Sequence, residues 1–250
     1  MSPCHPLTLS PCQNLGGYRI VRGLDAPRSY LADAGGRQVV LKMLDADCLL
    51  GDHLHPAVRD RLARVRELPH VGVADLLGVQ RDWPFTFMVW EYVEGLPLAQ
   101  WAGSAQELPW LARELTLGLR GLHARGLVHG SLHEHNVIFT PAGRLRLTHV
   151  SPYLYHEISD DAGPLLELLR GLAARAGQGA EAFSQLLDRA AADAQPIAYL
   201  SSHLASLADA QPLVAAPEPG RWVRRRSLAL AAAVALATLG LYHVLRQWTR

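Results

Sequence analysis

An α+β chain with two lobes, a small antiparallel sheet followed by a mostly helical half, is predicted by three observations. Short β-rich segments cluster before residue 91, and helical periodicity dominates after residue 105. The chain contains one lysine, Lys42, at the end of the apolar run Val39-Val40-Leu41, while its other 23 basic side chains are arginines. Finally, residues 227–245 form an apolar stretch of 19 residues without a formal charge, set apart from everything before it.

At 250 residues the chain has room for one domain plus appendages. Nearly half of it, 49%, is apolar, enough to bury a core. A net charge of +1 provides no global field for nucleic acid or an acidic substrate. The three cysteines, Cys4, Cys12 and Cys48, are odd in number and irregular in spacing, which excludes a disulfide framework and a zinc pattern. Reduced thiols in a cytosolic domain fit this usage.

Residues 1–17 have neither the basic region nor the apolar core of a signal peptide and read as a flexible tail. Residues 18–21, 29–32 and 37–44 are β-rich, with Ala34-Gly35-Gly36 as the turn between the last two. Val58, Leu62, Val65 and Leu68 recur at helical spacing, so 55–68 is an amphipathic helix, with Arg59, Arg61, Arg64 and Arg66 read as its solvated face. Two more strands, 76–80 and 86–91, are separated at Asp82-Trp83-Pro84. A long helix covers 105–125, short strands lie at 136–140 and 145–149, and 158–209 is helical. Three prolines in 211–220 mark a linker. The apolar segment 227–245 would extend roughly 28 Å as a helix, close to the bilayer core. Arg221, Arg224, Arg225 and Arg226 precede it and only Arg246 and Arg250 follow, which orients the N-terminal part to the cytoplasm. A tail-anchored, single-pass membrane protein is expected, divided as 1–17 tail, 18–209 domain, 210–226 linker, 227–245 transmembrane helix and 246–250 tail.

Several motifs fall in an order that resembles the protein-kinase-like superfamily. Val39-Val40-Leu41-Lys42 matches the lysine strand, and Met88-Val89-Trp90-Glu91-Tyr92-Val93-Glu94-Gly95 looks like the hinge between lobes. His129-Gly130-Ser131-Leu132-His133-Glu134-His135-Asn136 stands where a kinase carries H-R-D-x-x-x-x-N, and residues 145–151 stand at the strand and D-F-G. The resemblance implies a two-lobed fold with an N-lobe over 18–91 and a truncated helical C-lobe over 96–209. It implies nucleotide contacts, if any, from Lys42, Asn136, and the hinge residues Glu91 and Val93. Trp90 falls at the gatekeeper place and is expected to fill the space behind the hinge.

The departures from the family pattern argue against transfer chemistry. Ser131 replaces the catalytic-loop aspartate that accepts the substrate proton. His149 replaces the D-F-G aspartate, and imidazole is a poor ligand for Mg²⁺. Arg22, Leu24 and Pro27 fall at the glycine places of the phosphate loop, and Val40 replaces the small residue over the adenine. Arg61 occupies the place of the helix glutamate that would pair Lys42, with Asp60 as the alternative partner in a register shifted by one. Only about ten residues separate His149 from Ser159, too few for an activation segment; the Asp160-Asp161-x-x-x-Leu165-Leu166 pattern then looks like the helix beyond it. Lys42 is therefore either a strand-end cation paired with an acid or a residual phosphate contact, and Asn136 braces its loop. His129 packs beneath the loop.

The expected function is a membrane-anchored cytoplasmic pseudokinase, a scaffold or regulatory signalling module that binds a protein partner in the cytoplasm or at the membrane. No catalytic role is assigned to the degenerate positions His129, Ser131 and His149, and no metal site or nucleic-acid partner is expected. The alternative is an ATP-dependent phosphotransferase or nucleotide sensor with an atypical site, since His129-Gly130-Ser131-Leu132-His133 also resembles the loop of small-molecule kinases. It would take ATP with or without Mg²⁺.

Overall fold

The computed structural model describes residues 9–24, 28–68, 72–154 and 158–205. Its N-terminal half is a six-stranded antiparallel sheet in the order β1-β2-β3-β4-β8-β7. These are β1 (Asn14–Leu15), β2 (Tyr18–Gly23), β3 (Ser29–Asp33), β4 (Gln38–Met43), β7 (Leu76–Asp82) and β8 (Phe85–Glu91). A small hairpin, β5 (Leu49–Leu50) and β6 (His53–Leu54), leads to α1 (Pro56–Arg66). His55 caps α1, its Nδ1 accepting from the Ala57 N–H at 3.3 Å, and Pro56 takes the first turn, where its missing N–H is harmless.

The central strands are apolar on both faces because both faces are covered. Side chains alternate along a strand, so Val39, Leu41 and Met43 go to one side and Val40 and Lys42 to the other. Val39, Leu41, Met43, Phe87 and Val89 join Ile20 and Tyr30 in an outer cluster, while Val40, Met88 and Trp90 join the core shared with the C-terminal half. The pairing of Lys42 with Ser29 and Met88 fixes it on that inner face.

The outer cluster also corrects the sequence reading. Residues 9–17 belong to the stretch assigned to a flexible tail, yet Leu9 and Leu15 are buried in this cluster and β1 pairs with β2. The Leu9 N–H donates to the Tyr30 hydroxyl at 3.2 Å. An apolar sheet face left open to water is unfavourable by about 25 cal/mol per Å², and this segment closes it.

In the C-terminal half, β9 (Leu96–Pro97), β10 (Val137–Phe139) and β11 (Leu145–Leu147) form a three-stranded sheet. The central helix α2 (Leu108–His123) buries Leu108, Leu111, Leu115, Leu119 and Leu122, one stripe at helical spacing. The helical region expected from residue 158 resolves into a 3-10 turn at Ile158–Asp161 and α3 (Ala162–Ala176), α4 (Glu181–Ala192) and α5 (Pro196–Ala205). Gly177 ends α3 at φ 71°, a conformation that favours glycine, and Pro196 opens α5. One continuous core runs from Val40 and Trp90 through α2 to Leu204, so the two halves share their packing.

Among the described residues no helix is long and apolar enough to cross a membrane. The expected span 227–245, the linker 210–226 and Pro27 of the phosphate loop lie outside the described residues.

Candidate functional site

A cleft of about 270 Å³ lies where the sheet meets the C-terminal half. Leu24 and Val40 line it from the sheet, Glu91, Tyr92 and Val93 from the hinge, and Ile138, Thr148 and His149 from below. Trp90 is fully buried behind the hinge, with its ring edge-on to His149 at a centroid distance of 6.1 Å. Its indole Nε1 has no hydrogen-bond partner among the described residues.

The Glu91 side chain is tied into the scaffold. Its carboxylate accepts from Arg146 Nη2 at 2.8 Å and from the Asp75 N–H at 3.1 Å. Arg146 Nη2 also donates to the Val73 carbonyl at 2.7 Å. Strand β11 thereby braces the hinge, so any contact of Glu91 with a ligand falls to its backbone. Arg146 was not singled out in the sequence, where it is one arginine among many.

Lys42, two residues beyond Val40 on the same strand face and outside the lining of the cleft, has no ion-pair partner among the described residues. Burial holds its pKa below the usual lysine value, with the Asp45 charge offsetting part of this. Asp60, the acid proposed for it, is exposed and pairs with Arg59 at 3.4 Å. Arg61 is the arginine of α1 that is buried, beside Val58, Leu62 and Val65. Its Nε donates to the Ser151 carbonyl at 2.9 Å, and its Nη2 donates to the Val128 carbonyl. Arg64 Nη2 donates to the Arg125 carbonyl and, at 3.1 Å, to that of Gly126. The arginines of α1 are therefore not a uniform solvated face. Two of them pin the helix to the lower lobe, a task that needs a long cationic fork rather than an acid.

The catalytic-loop equivalents form a closed network. Asn136 Nδ2 donates to the Ser131 carbonyl at 2.7 Å and to its Oγ at 3.0 Å. That orientation turns Asn136 Oδ1 toward His149 Nδ1, 3.0 Å away. An amide oxygen can only accept, so the His149 proton sits on Nδ1. Burial, with the Lys42 charge adding to it, pushes the His149 pKa down to about 3, so the ring is neutral. His149 sits at φ 61°, a left-handed conformation unusual for a side chain with a Cβ. His129 lies beneath, fully buried, its Nδ1 accepting from the Ser131 N–H at 3.3 Å and its Nε2–H donating to the Thr148 carbonyl at 3.1 Å. Burial lowers its pKa to about 4 despite the nearby charge of Asp161.

Asp161 is the residue whose role sequence reasoning missed, although it lay within the Asp160-Asp161 pattern. It is fully buried, and its carboxylate accepts from the His129 N–H at 2.7 Å, the Gly130 N–H at 2.8 Å and His123 Nε2 at 2.8 Å. Desolvation acts to raise its pKa, but these hydrogen bonds outweigh it and the net shift is downward. The loop is thus suspended from the start of α3. The short segment after His149 also crosses back to the sheet, where the Tyr153 hydroxyl donates to Asp45, which Arg28 also holds. That hydrogen bond raises the Tyr153 pKa above its usual value.

A divalent cation, which this architecture implies, would be held by the loop asparagine and a carboxylate following β11. The residues present do not fit it. The Asn136 oxygen is occupied by His149, and an imidazole stands in place of the carboxylate. Among the described residues no group of three His, Cys, Asp or Glu side chains is arranged to hold a metal.

No protein-family model matches the chain. Over 130 residues, 49% of this chain, it is 25% identical to the serine/threonine-protein kinase Pkn1 of Myxococcus xanthus. That match spans 19% of the relative's length. The crystal structure of the Mycobacterium tuberculosis PknI kinase domain superposes with a TM-score of 0.59 at 18% identity, covering 82% of this chain and 100% of that one. A single-site mutant of the same domain gives a TM-score of 0.61 at 18% identity, covering 81% and 100%. The chain therefore has the two-lobed protein-kinase-like fold.

Proposed function

We propose that this chain is a pseudokinase, a membrane-tethered module on the cytoplasmic side that binds a protein partner and transfers no phosphoryl group. The observation that carries this reading is the direct hydrogen bond between Asn136 Oδ1 and His149 Nδ1, beside Ser131 in the place of the catalytic base. Phosphoryl transfer depends on positioning and on electrostatic stabilisation by metal and base. A missing general base alone costs on the order of 10²–10⁴ in rate, and here the metal ligands are redirected as well. A hydroxyl with no activating base does not make up that loss.

The test is transfer from γ-labelled ATP with Mg²⁺ or Mn²⁺, using the full chain in detergent micelles with protein, sugar and lipid acceptors. No labelled product above that of Lys42→Met is expected; a Lys42-dependent product overturns the reading. Tethering is checked separately by alkaline extraction of membranes, from which deletion of 227–245 should release the protein. The competing reading, an atypical phosphotransferase, draws on the cleft below the hinge and on the relative named as a serine/threonine kinase.

A further inference from the structure

The cleft has an apolar slot, Arg22 in its lining, and Lys42 further along the strand that carries Val40. Leu24, Val40, Val93 and Ile138 give the slot the flat apolar walls that a base requires. At about 270 Å³ it is slightly smaller than most small-molecule sites, which run from about 300 Å³ upward. Arg22 lines the mouth, and its Nη1 donates only to the neighbouring Gly23 carbonyl at 3.3 Å. Lys42 is not one of the lining residues; it sits two residues beyond Val40 on the same strand face, and its charge acts on His149, which lines the cleft, and on His133 and His129. Neither cation has a carboxylate partner among the described residues. The acids nearby are engaged elsewhere: Glu91 by Arg146, Asp45 by Arg28 and Tyr153, and Glu134 by Arg175.

Negative charge is thus wanted where no metal can follow. A divalent cation arriving on the phosphates of a nucleotide would stand near the Lys42 ammonium with no carboxylate of the protein to complete its shell. It would also compete with the buried His149 N–H for the Asn136 oxygen. And it would screen the phosphate charge that Lys42 and Arg22 attract. We propose that this cleft binds a nucleotide without a divalent cation, its phosphates held by Lys42 and Arg22, and that Mg²⁺ opposes the binding. The inference rests on the pseudokinase reading only in asking no transfer of the bound nucleotide.

The experiment is equilibrium binding of labelled ATP to the full chain in micelles, in EDTA and then in millimolar Mg²⁺. Saturable binding in EDTA is expected, with Mg²⁺ raising the apparent Kd by about tenfold or more, equivalent to about 1.4 kcal/mol. Lys42→Met should weaken the metal-free binding by about tenfold or more, as loss of a charge-assisted contact does. Arg22→Gln, at an exposed position that leaves the core intact, should weaken it by a smaller factor. His149→Asp should reverse the sign, so that Mg²⁺ tightens binding, because aspartate supplies the missing carboxylate and tolerates a left-handed backbone. Binding by the unaltered chain that Mg²⁺ strengthens or leaves unchanged overturns the inference. So does the absence of saturable binding in both buffers, which leaves the pseudokinase reading standing. Phosphoryl transfer would instead overturn that reading while metal-free binding still stood.

Discussion

The two sides of the catalytic-loop equivalent differ in what they do for the molecule. Behind the loop, Asp161 suspends the His129 and Gly130 amides and pairs with His123, an arrangement whose only evident role is to hold backbone in place. In front of it, Asn136, Ser131 and His149 stand where ligands and a base would act, but they hydrogen-bond to one another. The support of the loop and the polar groups in front of it are separate hydrogen-bond networks. A polar front that satisfies itself is stable empty, whereas a front of facing carboxylates would need a cation to relieve repulsion.

The sharpest way to break this comparison is Asp161→Ala. It leaves two backbone N–H groups and His123 without their acceptor in a fully buried site, and should lower stability by about 3–5 kcal/mol in chemical denaturation. Asn136→Ala, in front of the loop, should cost about 1–3 kcal/mol. Equal losses at the two positions would mean that the front is as structural as the back.

Acidification tests both sides together. The pKa of His129 is lowered to about 4 and that of His149 to about 3, against about 6.5 in the unfolded chain. Below pH 6.5 the unfolded state binds more protons than the folded one, so stability falls as pH falls. The loss is about 1.4 kcal/mol per pH unit for each histidine until its folded pKa is reached. Unfolding free energies measured between pH 7 and 5 should show this slope, and His149→Asn should remove about half of it. A flat profile would mean that these rings are not held neutral.

The most local effect concerns α1. Arg61→Met should cost about 1.5–3 kcal/mol by removing a buried charged donor from the Ser151 and Val128 carbonyls. Amide exchange should speed up in α1 while remaining unchanged in α3 and α4. Unaltered exchange in α1 would show that its apolar stripe alone docks it.

What the sequence determined by itself is what local pattern can carry. The β runs, the stripe of α2 and the hinge are legible because burial leaves a period of two or of about four in the residues. Lys42 is legible because strand alternation places it with Val40 on one face. The motif order of loop and strand then led to the two-lobed fold. Tertiary structure alone decided who bonds to whom. Arg61 could not be told from its neighbours on a helix with arginines around much of its circumference; it faces inward because two carbonyls, 67 and 90 residues away in sequence, lie within its reach. Asn136 and His149 meet across 13 residues through a left-handed turn at His149, and Asp161 reaches His129 across 32. Leu9 and Leu15 pack onto the sheet, with Asn14–Leu15 as its edge strand, because an apolar face needed a cover. Periodicity records which face of an element is buried, but hydrogen-bond partners are chosen by long-range placement, which leaves no period in the sequence.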